Sequence, residues 1–207
     1  MQSDSDLLEA WCQGDHAAGS ALFERHYPGV ARFFANKIGG DTADLIQETF
    51  ESCLESRERV RDRTRFESFL FGVAYNVLRR HFDRIRKHGE RFDPATDSAA
   101  DHSAGPSTMV ARRDEHRLLL AALRRIPLEQ QVVLELYYWE GMTSAEISEV
   151  LSVPHGTIRT RLRAARQKVE TALTKLSHDP ELLRRTKSDL DGWALQIRKA
   201  QFEPPAR

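Results

Sequence analysis

The chain has 207 residues, 40% of them hydrophobic, and its 31 Lys/Arg balance its 31 Asp/Glu to a net charge of zero. That length suffices for one large or two small domains with cores. No stretch approaches the ~20 consecutive apolar residues of a membrane span, and the acidic start MQSDSDLLEA is unlike a signal peptide, so a cytoplasmic protein without membrane insertion is expected.

The zero net charge conceals strong segregation. Residues 1–57 hold four Lys/Arg against ten Asp/Glu, 58–92 hold ten against five, and 93–111 hold none against three. A second basic block follows at 154–176, with six against one. Two basic blocks point to two contacts with a polyanion, because cationic clusters neutralise phosphates and release counterions. Cys12 and Cys53 lie 41 positions apart without a C-x-x-C partner and are expected to be buried, reduced thiols. Eight scattered histidines lack a ligand spacing such as H-x-x-x-H, so neither a metal nor another cofactor is expected.

The periodic segments have a helical period, which predicts helices near 4–13, 16–38, 42–59, 66–88, 112–125, 128–140, 143–151 and 155–176. Gly39-Gly40 and Gly141 act as terminators. In the third segment Asp41 suits an N-cap, and Ala43, Ile46, Phe50, Cys53 and Leu54 form an apolar face. Asp44, Glu48, Glu51 and Glu55 share the opposite face. This acidic stripe has two readings: a solvated face, or a docking surface for a basic protein partner with Leu45 as an exposed apolar anchor.

The fourth segment, within RTRFESFLFGVAYNVLRRHFDRIRK, keeps one side apolar through Phe69, Leu70, Val73, Ala74, Val77, Leu78, Phe82 and Ile85. Arginines crowd the remainder, and aromatics beside arginines suit single-stranded nucleic acid. Phe69 and Phe82 belong to the core stripe. Phe71, Tyr75 and Asn76 lie toward the other side and are the candidates for touching bases, the Asn amide through its paired donor and acceptor. From Gly89 to Ala111 the chain turns small and polar, with Pro94 and Pro106, and reads as a flexible linker too polar to bury a core.

Beyond the linker, TSAEISEVLSVPHGTIRTRLRAAR (143–166) reads as two short helices joined by a tight turn. Thr143 and Glu146 make a capping box, and Pro154 suits the start of the second helix. Ile158, Leu162, Ala165 and Val169 define a buried stripe, leaving Thr160, Arg163 and Gln167 pointing away and Arg159 on the flank. A capped helix, a turn and a helix with a cationic outer face form a helix-turn-helix for the DNA major groove, against the plainer reading of a solvated basic helix.

Three motifs in order resemble the bacterial sigma-70 family of RNA polymerase sigma factors, extracytoplasmic-function type. DLIQETF (44–50) is similar to the family's D-x-x-Q-E-x-F core-polymerase-binding motif. SFLFGVAYNVLRRHFDR (68–84) is similar to its promoter-melting and −10-reading region. Residues 126–169 are similar to its −35-binding region. The resemblance implies an all-α protein of two small helical domains: 1–90 for polymerase and −10 binding, 91–111 as flexible acidic linker, 112–176 for −35 binding, and 177–207 as an extension. It implies that Asp44, Leu45, Gln47, Glu48 and Glu51 dock on the clamp helices of the polymerase's largest subunit. Phe71, Tyr75, Asn76, Arg79 and Arg80 would hold melted −10 DNA, with Asn76 where the family holds an unstacked base. His155, Thr157, Arg159, Thr160, Arg163 and Gln167 would meet the −35 duplex, the first two near phosphates at the helix start. The acidic linker would thread toward the RNA path.

Core polymerase, promoter DNA and an anti-sigma factor are the partner classes the resemblance carries. Departures stand at Phe69-Leu70, where the family often has Trp-Leu, and at Ala164, where it often has arginine. The tail segment PELLRRTKSDLDGWALQIRK forms either an amphipathic helix through Leu183, Leu190, Trp193 and Ile197, or a disordered tail. The competing function is a stand-alone helix-turn-helix regulator that binds duplex DNA as a dimer. An enzyme finds no phosphate loop, nucleophile constellation or paired acid–base carboxylates.

Overall fold

The computed structural model describes residues 2–56, 60, 65–85, 93–99, 114–177 and 183. Among the described residues eight α-helices follow in chain order: α1 (Asp4–Cys12), α2 (His16–Ala35), α3 (Ala43–Ser56), α4 (Phe66–Ile85), α5 (Asp114–Leu123), α6 (Leu128–Tyr138), α7 (Ser144–Leu151) and α8 (His155–Leu176). Among the described residues no strand forms beyond an isolated bridge between Ser98 and Pro127.

Local chemistry sets the helix ends. Ser3 and Asp6 close a capping box on α1, and Asp15 accepts from the Ala17 and Ala18 amides at the start of α2. Asp41 Oδ1 accepts from the Ala43 amide at 2.9 Å, as expected of a cap on α3. Thr143 and Glu146 complete the expected capping box on α7, and Ser152 ends that helix in the left-handed region at φ 54°. Gly19 allows α1 onto α2, because a Cβ there would lie 2.6 Å from the Trp11 indole.

Two cores form, but not one for each half of the sequence. The first gathers apolar residues of α1–α4, including Leu8, Leu22, Phe34, Leu70, Phe71 and Leu78. It continues without a break through Leu128, Val132, Val133 and Leu136 of α6, Ile147, Val150 and Leu151 of α7, and Ile158 of α8. The second gathers Leu119, Leu123, Ile126, Leu134, Trp139, Ala165, Val169 and Leu173 between α5, α6 and α8. Between these cores, every residue of α6 from Gln131 to Leu136 is buried, as a helix between two apolar layers must be.

Three expectations need correction. The segment 91–111 reads as a flexible linker too polar to bury a core, yet its described part, 93–99, is docked on the start of α6. The Asp97 and Pro94 carbonyls accept from the Leu128 and Glu129 amides at 2.9 Å, so the segment satisfies donors at the start of α6, and Ala99 is fully buried. Cys12 is exposed, at the last turn of α1, while Cys53 is buried as expected. Ile85 does not join the apolar stripe of α4 but stands exposed. The expected tail helix lies outside the described residues except for Leu183, which packs against the second core.

Candidate nucleic-acid interface

The outer face of α8 is open. Burial of Ile158, Ala165 and Val169 turns Arg159, Thr160, Arg163 and Gln167 to solvent, with His155 exposed and Thr157 half-buried at the helix start. Pro154 is the N-cap and supplies no side-chain cap, while the Thr157 amide donates to the Pro154 carbonyl at 2.9 Å. Ala164 is half-buried next to Arg163. Arg161 is drawn inward instead, pairing with Glu129 of α6 at 2.7 Å.

Helix α4 is different. Asn76, Arg79 and Arg80 are exposed, and with Ser52, Glu55, Ser56, Val73 and Asp83 they line a polar pocket of about 530 Å³ between α3 and α4. The expected exposure of Phe71 and Tyr75, however, is overturned: they are 1% and 3% exposed. Phe71 packs edge-on against Phe33 of α2, and the Tyr75 hydroxyl donates to Glu129 Oε1 at 3.3 Å. The cause is a second covered face. Helix α7 crosses α4 closely enough that a Cβ on Gly72 would touch the Val150 backbone at 3.8 Å. Burial, and then the negative charge of Glu129, push the ionisation of Tyr75 above its ordinary value of 10.

The acidic stripe of α3 carries Asp44, Glu51 and Glu55 exposed, with Gln47 donating to Glu51 at 2.8 Å. Glu48 is half-buried and joins the arginine side of α4, 3.1 Å from Arg80 and 3.5 Å from Arg84. Leu45, expected as an exposed anchor, is 7% exposed because it turns into the first core. Exposed apolar surface lies elsewhere, on Tyr27 and Leu54. With Phe23, Ile46 and Phe50 these line a groove of about 490 Å³ whose rim carries Gln47, Glu51 and Glu55.

A buried polar seam joins α2 to the carboxy-terminal half, and no periodicity argument anticipated it. Lys37 Nζ and Glu135 Oε2 lie 2.5 Å apart, with essentially no exposure on either side chain. Lys37 also donates to the Phe33 carbonyl at 2.8 Å, and Gln131 donates to the other Glu135 oxygen at 2.8 Å. Arg32 reaches Glu140 at 2.6 Å, and Arg124 donates to the Asn36 carbonyl at 2.8 Å. Burial depresses the Lys37 ammonium and raises the Glu135 carboxyl, each opposed by the partner's charge. The available signal was Gln131 and Glu135, four apart and so on one face, flanking the apolar run Val132–Leu134.

Family comparisons match both halves of this arrangement. The model "Sigma-70 region 2" matches residues 22–90, and "Sigma-70, region 4" matches residues 116–169. RNA polymerase sigma factor CarQ of Myxococcus xanthus is 31% identical over 175 residues, covering 82% of this chain and 97% of its own length. The chain belongs to the sigma-70 family. The ECF RNA polymerase sigma-E factor of Haemophilus influenzae is 25% identical over 183 residues, covering 84% of this chain and 97% of that protein. The solved structure of CnrH in complex with the cytosolic domain of CnrY shares the fold, with TM-score 0.63 and 22% identity over 85% of this chain and all of that one. The protein is thus an extracytoplasmic-function sigma factor that directs promoter-specific transcription initiation. As a DNA-binding regulator, it agrees with the open cationic face on α8.

Proposed function

We propose that this sigma factor holds a promoter at two points while riding on core RNA polymerase, and that it has no catalytic activity of its own. Arg159, Thr160, Arg163 and Gln167 read the −35 duplex in the major groove, with His155 and Thr157 on phosphates at the start of α8. The single observation that carries this reading is the exposure of those four side chains on the second helix of a capped helix-turn-helix. Arg163 and Arg159 supply bidentate contacts worth about 1–3 kcal/mol each.

Asn76, Arg79 and Arg80 take the melted −10 strand at the polar pocket between α3 and α4. Phe71 and Tyr75 offer stacking faces once uncovered. Asp44, Gln47, Glu48 and Glu51 face the clamp helices of the largest polymerase subunit, with Tyr27 and Leu54 in place of Leu45 as apolar anchors. A cytoplasmic site of action and regulation by an anti-sigma factor complete the reading. It is supported by the absence, among the described residues, of any helix long and apolar enough to cross a membrane. It is supported also by the likeness to CnrH, whose structure was solved with a partner domain.

Asp44→Arg combined with Glu51→Arg tests the docking face, because both carboxylates are exposed while Glu48 is engaged by α4. The double variant should keep its helical circular dichroism signal, lose co-purification with core polymerase and lose promoter-dependent transcription. Transcription at the parental level would refute the docking assignment.

A further inference from the structure

Four glycines stand inside helices among the described residues, and three of them have a neighbour that explains them. A Cβ on Gly19 would meet the Trp11 indole at 2.6 Å, and one on Gly29 the Glu140 carboxylate at 3.1 Å. One on Gly72 would touch the Val150 backbone at 3.8 Å. Gly156, in the first turn of α8, is the exception: nothing lies within 4 Å of the place its Cβ would take. The left-handed glycines are Gly14, Gly40 and Gly141, so the backbone at 156 is open to any residue. Glycine is among the least favourable residues in a helix. The fold therefore gains nothing from a glycine there.

Its position supplies the reason. At 100° per residue, Gly156 lies within about 40° of Thr160, Arg163 and Gln167, opposite the buried stripe of Ile158, Ala165 and Val169. It is the exposed first position of the face assigned to duplex DNA, with His155 and Thr157 on its two flanks. Relief along that face rises from the helix start. Gly156 has no side chain, and Thr160 is short and donates its hydroxyl back to the Gly156 carbonyl at 3.4 Å. Arg163 and Gln167, further on, are long. A glycine permits close approach of a backbone to a ligand. The second helix of a helix-turn-helix enters the major groove with its first residues on the base edges. The low end of α8 is the end that goes deepest.

We propose that Gly156 is a positioning residue for −35 recognition: its missing side chain lets the first turn of α8 rest on the base-pair edges, and that depth brings Thr160 and Arg163 within reach of the bases. The proposal rests on the reading of α8 as the −35 helix. A single methyl group at 156 would hold the helix start off the groove floor. Base contacts have narrow limits of distance and angle and are lost first, whereas attraction to phosphates falls off slowly with distance. Gly156 thus governs sequence preference more than overall affinity.

The test uses full-length Gly156→Ala and Gly156→Leu assembled with core polymerase. One probe is a promoter selected by the parental holoenzyme from duplexes randomised at −35, and the other is that promoter with the element scrambled. The readout is the ratio of the two affinities. Gly156→Ala should lower the ratio about tenfold, the equivalent of one bidentate base contact, and Gly156→Leu should lower it further. As free proteins, both variants should melt about 1–3 °C above the parent, because alanine and leucine favour the helix.

A lowered melting temperature overturns the proposal, since the glycine would then serve the fold. An unchanged ratio overturns it as well. So does an equal loss on both promoters, which would put Gly156 against the sugar–phosphate wall. Arg163→Ala separates this failure from failure of the −35 reading. If Arg163→Ala lowers the ratio and Gly156→Ala does not, the seating role alone is wrong. If neither lowers it, the −35 assignment of α8 falls too.

Discussion

Helices α8 and α4 carry similar chemistry in opposite states. Each sets arginines beside groups able to contact bases, and each has a stripe buried in a core. On α8 the outer face is solvated along Arg159, Thr160, Arg163 and Gln167, so the free protein presents it ready for a duplex. On α4 the arginines are solvated, but Phe71 is buried with an edge on Phe33 of α2 and Tyr75 is buried with its hydroxyl on Glu129 of α6. The difference teaches that a helix with one buried stripe leaves its polar face to water, whereas a helix packed on two sides keeps only its arginines there. Duplex recognition needs only a polar face, which water also solvates. Recognition of unstacked bases needs apolar rings, and the protein buries such rings whenever another apolar surface is available.

The largest effect should come from emptying the open face. Arg159→Ala with Arg163→Ala removes two contacts of about 1–3 kcal/mol each, so affinity for a −35 duplex should fall on the order of 30-fold or more. The salt dependence should shrink with it if these arginines also neutralise phosphates. A gel-shift series over salt concentration measures both. An unchanged affinity would leave α8 as an ordinary solvated helix and dissolve the contrast with α4.

A smaller effect reports on the covered face. Burial raises the Tyr75 ionisation above 10 in the folded form, with Glu129 adding to the shift. A group with a raised value stabilises the folded form fully below its ordinary value, and that contribution is lost as pH climbs through the raised one. In a spectrophotometric titration the component lost in Tyr75→Phe should therefore ionise above the ordinary tyrosine range. In Lys37→Glu it should return toward the ordinary range. Ordinary titration of Tyr75 in the parent would mean that α4 is already uncovered.

Much of this was legible in the sequence, for identifiable reasons. Caps at Ser3, Asp15, Asp41 and Thr143 act within a few residues, so the helix starts follow from local chemistry. The α8 face was legible because its stripe, Ile158–Ala165–Val169, is a single one and the rest of the helix meets water. The same logic failed on α4, since periodicity assumes one buried face and this helix has two. Gly72, small enough to admit the α7 backbone, was the visible hint. Leu45 failed for a related reason: it lies beside the acidic stripe yet still reaches the core. Lys37 and Glu135 were invisible as a pair because charged residues are rarely fully buried unless matched, and the match lies 98 positions away. Residues 93–99 looked like linker from their composition, but their carbonyls cap α6, a role that backbone atoms fill regardless of side chain.

The most direct test compares the two faces in one preparation of the unaltered protein, titrated with a −35 duplex and with a single-stranded −10 oligonucleotide, first free and then with core polymerase. The account predicts that the free protein binds the duplex and largely ignores the single strand, and that the holoenzyme binds both. A free protein that takes the single strand as tightly as the holoenzyme does would contradict it.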